Sequence, residues 1–267
     1  MVENRSPVIS QHYTQKFYER LRGGARASAE VIAPLVLQLL PVRSLVDVGC
    51  GDGNWSAVFH ELGVHEILGM DGEYVRKDDL QIPREWFQPA DLSKPFRLNR
   101  SFDLAVCLEV AEHLPPENAA AFVESLTTTA PAVLFSAAVP HQGGDHHINE
   151  RWPDDWASLF KRHEYLAIDA FRRQIWQCEN VESWYAQNIL LFVRQDLVEQ
   201  NSALRAALER TNQEQLSLVH PRMWLYLVQR FKEDATRRAM PSGVIEASKQ
   251  LAVCVKNSLR KRLLKRS

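Results

Sequence analysis

The chain has 267 residues, 45% hydrophobic and 24% charged, and its 32 Lys+Arg against 33 Asp+Glu leave a net charge of -1. That composition fits a globular protein rather than a disordered one and supplies no overall basic field for gripping nucleic acid. No run of about 18 apolar residues is present, Met1 to Tyr13 lacks an apolar signal core, and Cys50, Cys107, Cys178 and Cys254 form no C-x-x-C pair. A membrane span, a zinc ribbon and a disulfide framework are not expected, and a reducing, cytoplasmic setting is.

Residues 10–40 read as two helices, the second carrying Val31, Ile32, Leu35, Val36, Leu39 and Leu40 at helical spacing before Pro41 stops it. Ser44–Val48 then reads as a buried strand, Trp55–Leu62 as a helix and Ile67–Met70 as a second strand. Further strands are expected at Trp86–Gln88, Asp103–Cys107, Ala132–Val139, Glu164–Phe171 and Asn188–Val193, and helices at Glu117–Thr128 and Asp154–Arg162. The alternation predicts a doubly wound α/β fold: a mostly parallel, seven-stranded, Rossmann-like sheet, with the last two strands as an antiparallel edge.

Beyond residue 195 the pattern is helical. Leu197, Asn201, Leu204, Leu208, Thr211, Gln215 and Leu218 recur in steps of four and three, as on one amphipathic helix. Residues 196–267 hold 14 Lys/Arg and 7 Asp/Glu, whereas 1–195 hold 18 and 26. The charge shift divides the chain into N-terminal helices (1–40), a cofactor-binding domain (41–195) and a helical extension (196–267).

The first strand runs through Asp47 into Gly49-Cys50-Gly51-Asp52-Gly53-Asn54, and a helix follows. Alternating glycines let the backbone turn sharply and approach a ligand closely, and the helix start offers free amides to an anionic group. Asp71, twenty residues after Gly51, ends the second strand and can receive both hydroxyls of a ribose; Asp91 follows the third and can receive an adenine amine. These acids are expected past the carboxyl ends of successive strands, where open α/β sheets bind ligands.

The string D-x-G-C-G-x-G resembles motif I of the class I S-adenosylmethionine-dependent methyltransferases, over roughly residues 27–195. The resemblance implies that Asp47, Gly49, Gly51 and Gly53 surround the methionine part of S-adenosylmethionine, that Asp71 holds its ribose and Asp91 its adenine. Asn54 stands where the dinucleotide fingerprint has its third glycine, which weighs against a nicotinamide-dependent oxidoreductase. The intact glycines and Asp71 weigh against a non-catalytic binding module.

Glu109-Val110-Ala111-Glu112-His113 follows the fourth strand. As a helical turn it would put Glu109, Glu112 and His113 on one face, able to hold Mg²⁺ or another divalent ion, with His113 alternatively a general base. Glu109 is also placed beside the cofactor. The E-x-x-E-H string resembles that of metal-assisted methyltransferases acting on ribose 2′-hydroxyls at RNA ends, and that of ubiquinone-pathway O-methyltransferases. The loop after the fifth strand, His141-Gln142-Gly143-Gly144-Asp145-His146-His147, adds imidazoles: His141 and His147 are candidate catalytic groups, and His147 a candidate fourth metal ligand.

Residues 140–156 and 171–192 resemble bacterial methyltransferases of glycan and lipopolysaccharide-type biosynthesis. That implies a sugar or other small-molecule hydroxyl as acceptor, on which Trp152, Trp156, Trp176, Trp184 and Tyr185 could stack. An RNA acceptor is the alternative, opposed by the acidic balance of 1–195. The basic stretch Lys256–Arg266, with Leu259, Leu263 and Leu264 interleaved, is a candidate for peripheral membrane contact, and the C-terminal helices for oligomer formation.

Overall fold

The computed structural model describes residues 15–239. In chain order the elements are α1 (Gln15–Leu39), β1 (Ser44–Val48), α2 (Asn54–Glu61), β2 (Glu66–Asp71), β3 (Phe87–Pro89), β4 (Leu104–Leu108), α3 (Ala119–Thr129), β5 (Ala132–Ser136), α4 (Pro153–Lys161), β6 (Tyr165–Ile168), α5 (Arg172–Ile175), α6 (Ser183–Asn188), β7 (Leu190–Arg194), α7 (Gln195–Gln200), α8 (Ser202–Glu209) and α9 (Pro221–Ala239).

The strands form one seven-stranded sheet in the order β3-β2-β1-β4-β5-β7-β6. All pairings are parallel except those of β7, which runs antiparallel between β5 and β6. The expected antiparallel pair is therefore present, and α5 and α6 occupy the long connection between its strands. Side chains alternate between two cores with the strand period of two. Leu45, Leu104, Val106, Leu134 and Leu191 enter one, with Ile32 and Val36 of α1 and Phe59 of α2. Val46, Ala105, Cys107, Val133, Phe135 and Phe192 enter the other, with Phe122 and Leu126 of α3 and Phe160 of α4. Burial on both faces explains why these strands read as continuous apolar runs.

Chain order rises through β1, β2 and β3 in one direction along the sheet and through β4 and β5 in the other. The reversal falls between β1 and β4. In open α/β sheets such a switch point is where ligands bind, beyond the strands' carboxyl ends, and both informative motifs follow strands at that edge.

Three expectations are corrected. The N-terminal segment is one helix rather than two, running through Pro34. The single helix expected from Leu197 to Leu218 is broken. Asn201 ends α7 and caps α8, its Oδ1 accepting from the amides of Ala203 (2.9 Å) and Leu204 (3.2 Å), and α8 stops at Glu209. The charge shift near Arg194 is no break in packing, because Val198, Leu204 and Ala207 join the first core. The compact unit runs on to His220, and Pro221 begins a second unit containing α9. Trp224, Leu225, Tyr226 and Phe231 are exposed on α9. The basic stretch Lys256–Arg266 lies outside the described residues. Among those described, no helix is long and apolar enough to cross a membrane.

Arg172 ties the start of α5 to α6 and to the segment after α8. Only 1% exposed, it donates to Asp169 Oδ2 (2.8 Å) and to the carbonyls of Gln187 (3.0 Å) and Leu216 (2.6 Å). Substituting Arg172→Ala strands a carboxylate and two carbonyls together. A loss of about 3–5 kcal/mol is expected in urea unfolding, and a loss under about 1 kcal/mol would show that the cluster relaxes without its cation.

Candidate functional site at the switch point

The glycine turn closes over the end of β2. The amides of Gly49 and Cys50 both donate to the Met70 carbonyl, at 2.7 and 3.1 Å, and the Gly51 amide donates to Asp71 Oδ2 at 2.7 Å. Gly49 and Gly51 have φ of 82° and 56°, in the left-handed region that glycine tolerates. Their surroundings differ. A Cβ on Gly49 would lie 2.2 Å from Val110, whereas one on Gly51 would meet nothing within 4 Å. Gly51 thus presents bare backbone to open space, beside a buried acid.

Asp71 is 5% exposed. Its Oδ1 accepts from the Gly72 amide (2.7 Å) and from the Tyr74 hydroxyl. Burial raises its pKa, and the hydrogen bonds from Tyr74, Gly51 and Gly72 oppose that rise. Tyr74 itself is exposed and covers the carboxylate from the solvent side. Asp47 lies within β1, as the strand reading has it, with its side chain beneath α2. Its carboxylate accepts from Ser56 Oγ at 2.7 Å, and burial pushes its pKa up to about 7. Asp91 does follow β3 but is exposed. Lys94 (2.8 Å) and the Ser93 hydroxyl (2.5 Å) hold it, and hydrogen bonds from both keep its pKa below the usual carboxylate range. Ala90, next to it, donates its amide to the Asp71 carbonyl at 2.8 Å.

Beyond β4 the chain is not one helical turn. Glu109 takes a left-handed conformation (φ 56°), and only Ala111–His113 forms a tight 3₁₀ turn. The Glu109 carboxylate turns toward two side-chain amides, Gln142 Nε2 and Asn188 Nδ2, each at 3.3 Å. Glu112 is fully buried. Its Oε1 accepts from the Ala138 amide at 3.2 Å, while its Oε2 has no hydrogen-bond partner. Burial raises the pKa of both glutamates, and Glu109 adds to the rise at Glu112.

The loop after β5 folds back onto this turn. The amides of Ile148 and Asn149 donate to the Glu112 carbonyl at 2.9 and 3.0 Å. That return brings His147 against His113, ring centroids 4.9 Å apart and edge to face. Glu112, His113 and His147 each offer one ligand atom, and the three atoms lie within 4.8 Å of one another. His113 Nδ1 is also buried without a partner. Desolvation, and then His147, lower the His113 pKa to about 4, so the ring is neutral near pH 7. His141 is exposed and stands outside the group.

Of the aromatics expected to face an acceptor, Trp156 and Tyr185 are buried. Trp156 packs at a tilt against core residue Phe135, centroids 5.2 Å apart, and Tyr185 meets Trp55 edge to face. Trp176 and Trp184 are partly buried, and Trp152 is exposed. Sequence reasoning missed Tyr74, Gln142, Glu150 and Asn188. None lies at a motif spacing: Tyr74 reaches Asp71 from three residues on, and the return of distant segments places the other three.

A family profile described as "Methyltransferase domain" matches residues 17–188. The chain therefore belongs to the methyltransferase domain family, and its sheet is that of the class I S-adenosylmethionine-dependent enzymes. Among solved structures of like fold, magnesium protoporphyrin IX methyltransferase from Synechocystis PCC 6803 with bound SAM is 21% identical, at a TM-score of 0.50 over 69% of this chain and 86% of that one. The sugar N-methyltransferase KedS8 from Streptoalloteichus sp ATCC 53650 is 16% identical, at a TM-score of 0.53 over 73% and 98%. DesVI of Streptomyces venezuelae is also 16% identical, at 0.51 over 69% and 100%. No curated protein matches the sequence.

The His113 shift sets a sign for acid stability. Between pH 6.5 and about 4 the unfolded chain takes up a proton at His113 that the folded chain refuses, so stability falls as pH drops through that window. In EDTA-dialysed protein, His113→Gln should lose less stability than the parent chain between pH 7 and 4.5, by on the order of 1–3 kcal/mol. Equal losses in thermal unfolding would refute the buried neutral ring.

Proposed function

We propose that the chain transfers a methyl group from S-adenosylmethionine to a hydroxyl oxygen of a sugar or another small molecule. One observation carries the reading: a buried Asp71 bonded to the Gly51 amide beside an open cradle, with the Glu112, His113 and His147 group beyond β4 at the same sheet edge. Asp71 receives the ribose hydroxyls in exchange for the Tyr74 hydroxyl. Gly51 faces the methionine portion with bare backbone, while Gly49 and Gly53, packed against Val110 and Ile82, shape the turn around it. Asp91 receives the adenine amine, and Glu109 lies toward the cofactor's amino-acid end. Asp47 acts at one remove, anchoring α2 through Ser56.

The transfer is an in-line displacement. The acceptor oxygen attacks the methyl carbon, the O–C bond forms as C–S breaks, and sulfur keeps the electron pair. Alignment supplies most of the acceleration. The hydroxyl proton passes to an imidazole of the site, with His147 better placed than exposed His141.

The group also fits a divalent cation. Glu112 Oε2 and His113 Nδ1 are buried without partners, as groups awaiting a ligand would be. Two imidazoles and a carboxylate suit Mn²⁺ or Zn²⁺ better than Mg²⁺, which prefers oxygen. When bound, such an ion would lower the acceptor's pKa. Glu109, engaged by Gln142 and Asn188, stands beside these ligands and outside the group.

Asp71→Ala should weaken S-adenosylhomocysteine binding about 10- to 100-fold in calorimetry, from the loss of charge-assisted hydrogen bonds. Gly51→Ala separates binding from folding. No neighbour meets the new Cβ, so stability should fall by only about 1–2 kcal/mol for the left-handed backbone. Affinity should fall at least about tenfold if the cofactor occupies the cradle, and unchanged affinity would sink that placement. A transfer screen over nucleotide sugars, glycans, quinone precursors and short RNA, with and without EDTA, tests the acceptor class. Methylation of RNA alone would overturn the small-molecule reading.

A further inference from the structure

Glu150 lies outside every motif, yet it organises the loop that returns His147 to the site. Its Oε2 accepts from the His141 amide at 2.7 Å; its Oε1 accepts from the Gly143 amide at 2.8 Å and meets His147 Nδ1 at 3.1 Å. The pair is sheltered, with side-chain exposures of 12% for His147 and 19% for Glu150. His141 and His146 both adopt left-handed backbone, at φ 68° and 60°. A loop with two such residues holds its shape only where other interactions fix it, and the Glu150 carboxylate binds it at three donors.

The chemistry of the acceptor sets the imidazole's state. A carboxylate only accepts, so the His147 nitrogen facing it carries the hydrogen. In the neutral ring Nδ1 is then N–H, and Nε2 keeps its lone pair. The Nε2 edge of the ring packs on Gly144, where a Cβ would lie 2.2 Å from that nitrogen. One nitrogen of the ring is held by a carboxylate, and the other lies against a residue with no side chain.

We propose that Glu150 is a positioning residue: it fixes His147 as the Nδ1–H tautomer and aims an unprotonated Nε2 at the space shared with Glu112 and His113. The role rests on the methyl-transfer reading only for its purpose, since a lone pair there serves equally to ligate a cation or to take the acceptor's proton. Glu150 itself touches neither substrate nor cofactor. Gly144 is the second half of the device, because a methyl group there would collide with the His147 ring and displace it.

The test reads the tautomer directly. The full chain is labelled with ¹⁵N-histidine, and long-range ¹H–¹⁵N correlations are recorded, His147→Gln assigning the signal. The parent chain should show the Nδ1–H pattern for His147. Glu150→Ala should convert it largely to Nε2–H, while Glu150→Gln, whose amide oxygen still accepts, should keep the Nδ1–H form. An Nε2–H pattern in the parent chain, or an unchanged pattern in Glu150→Ala, overturns the proposal. If Glu150→Ala fails to fold, the parent chain and Glu150→Gln decide: the Nδ1–H pattern in both supports the proposal, and an Nε2–H pattern in either overturns it.

Mn²⁺ titration followed by electron paramagnetic resonance separates this from the cation reading. With Mn²⁺ bound, Glu150→Ala should bind it about 10- to 100-fold more weakly. A parent chain that binds no Mn²⁺ removes the cation and leaves the tautomer result standing.

Discussion

The site depends on one hydrogen bond, from the Gly51 amide to the Asp71 carboxylate. It joins the ends of two neighbouring strands, and it forms only because β1 and β2 are parallel and in register, with Val48 opposite Met70. The Met70 carbonyl, receiving the two amides before Gly51, sets the depth of the turn. Shifting the register by one residue would turn Asp71 to the opposite face and leave the glycine turn without its partner. The turn and the acid are twenty residues apart in sequence and form one piece of structure.

Around that bond the rim gathers buried carboxyl groups. Asp47, Asp71, Glu109 and Glu112 all sit near the carboxyl ends of β1, β2 and β4. Among the described residues, none of the four pairs with Lys or Arg. Desolvation raises the pKa of each. Such a rim favours whatever brings positive charge. A sulfonium does so, and the thioether left after methyl transfer does not.

The core was readable because β1, β4 and β5 are buried on both faces and so appear as uninterrupted apolar runs. The glycine turn was readable because each backbone demand has a residue-type signature. Three features left no such trace. Asp47 looks like part of the turn, but strand geometry directs it beneath α2 to Ser56. The left-handed conformation of Glu109 breaks the helical face on which the E-x-x-E-H spacing had been laid. Glu150 becomes significant only when a loop folds back and presents two amides and an imidazole to it. The helix expected beyond residue 195 failed for a local reason, since Asn201 competes for backbone amides and starts a new helix.

The antiparallel insertion has a consequence for how the molecule is made. Strand β7 lies between β5 and β6, so β5 gains its second neighbour only when residues 190–194 arrive. Until then Ala132–Ser136, entirely apolar but for its serine, is an open edge, and β6 has nothing to dock on. During synthesis on the ribosome that edge stays bare while nearly sixty further residues emerge. A nascent or truncated chain ending before β7 would offer a ready template for misassociation. The last strand of the sheet thus also serves as the seal that ends the chain's vulnerability to aggregation.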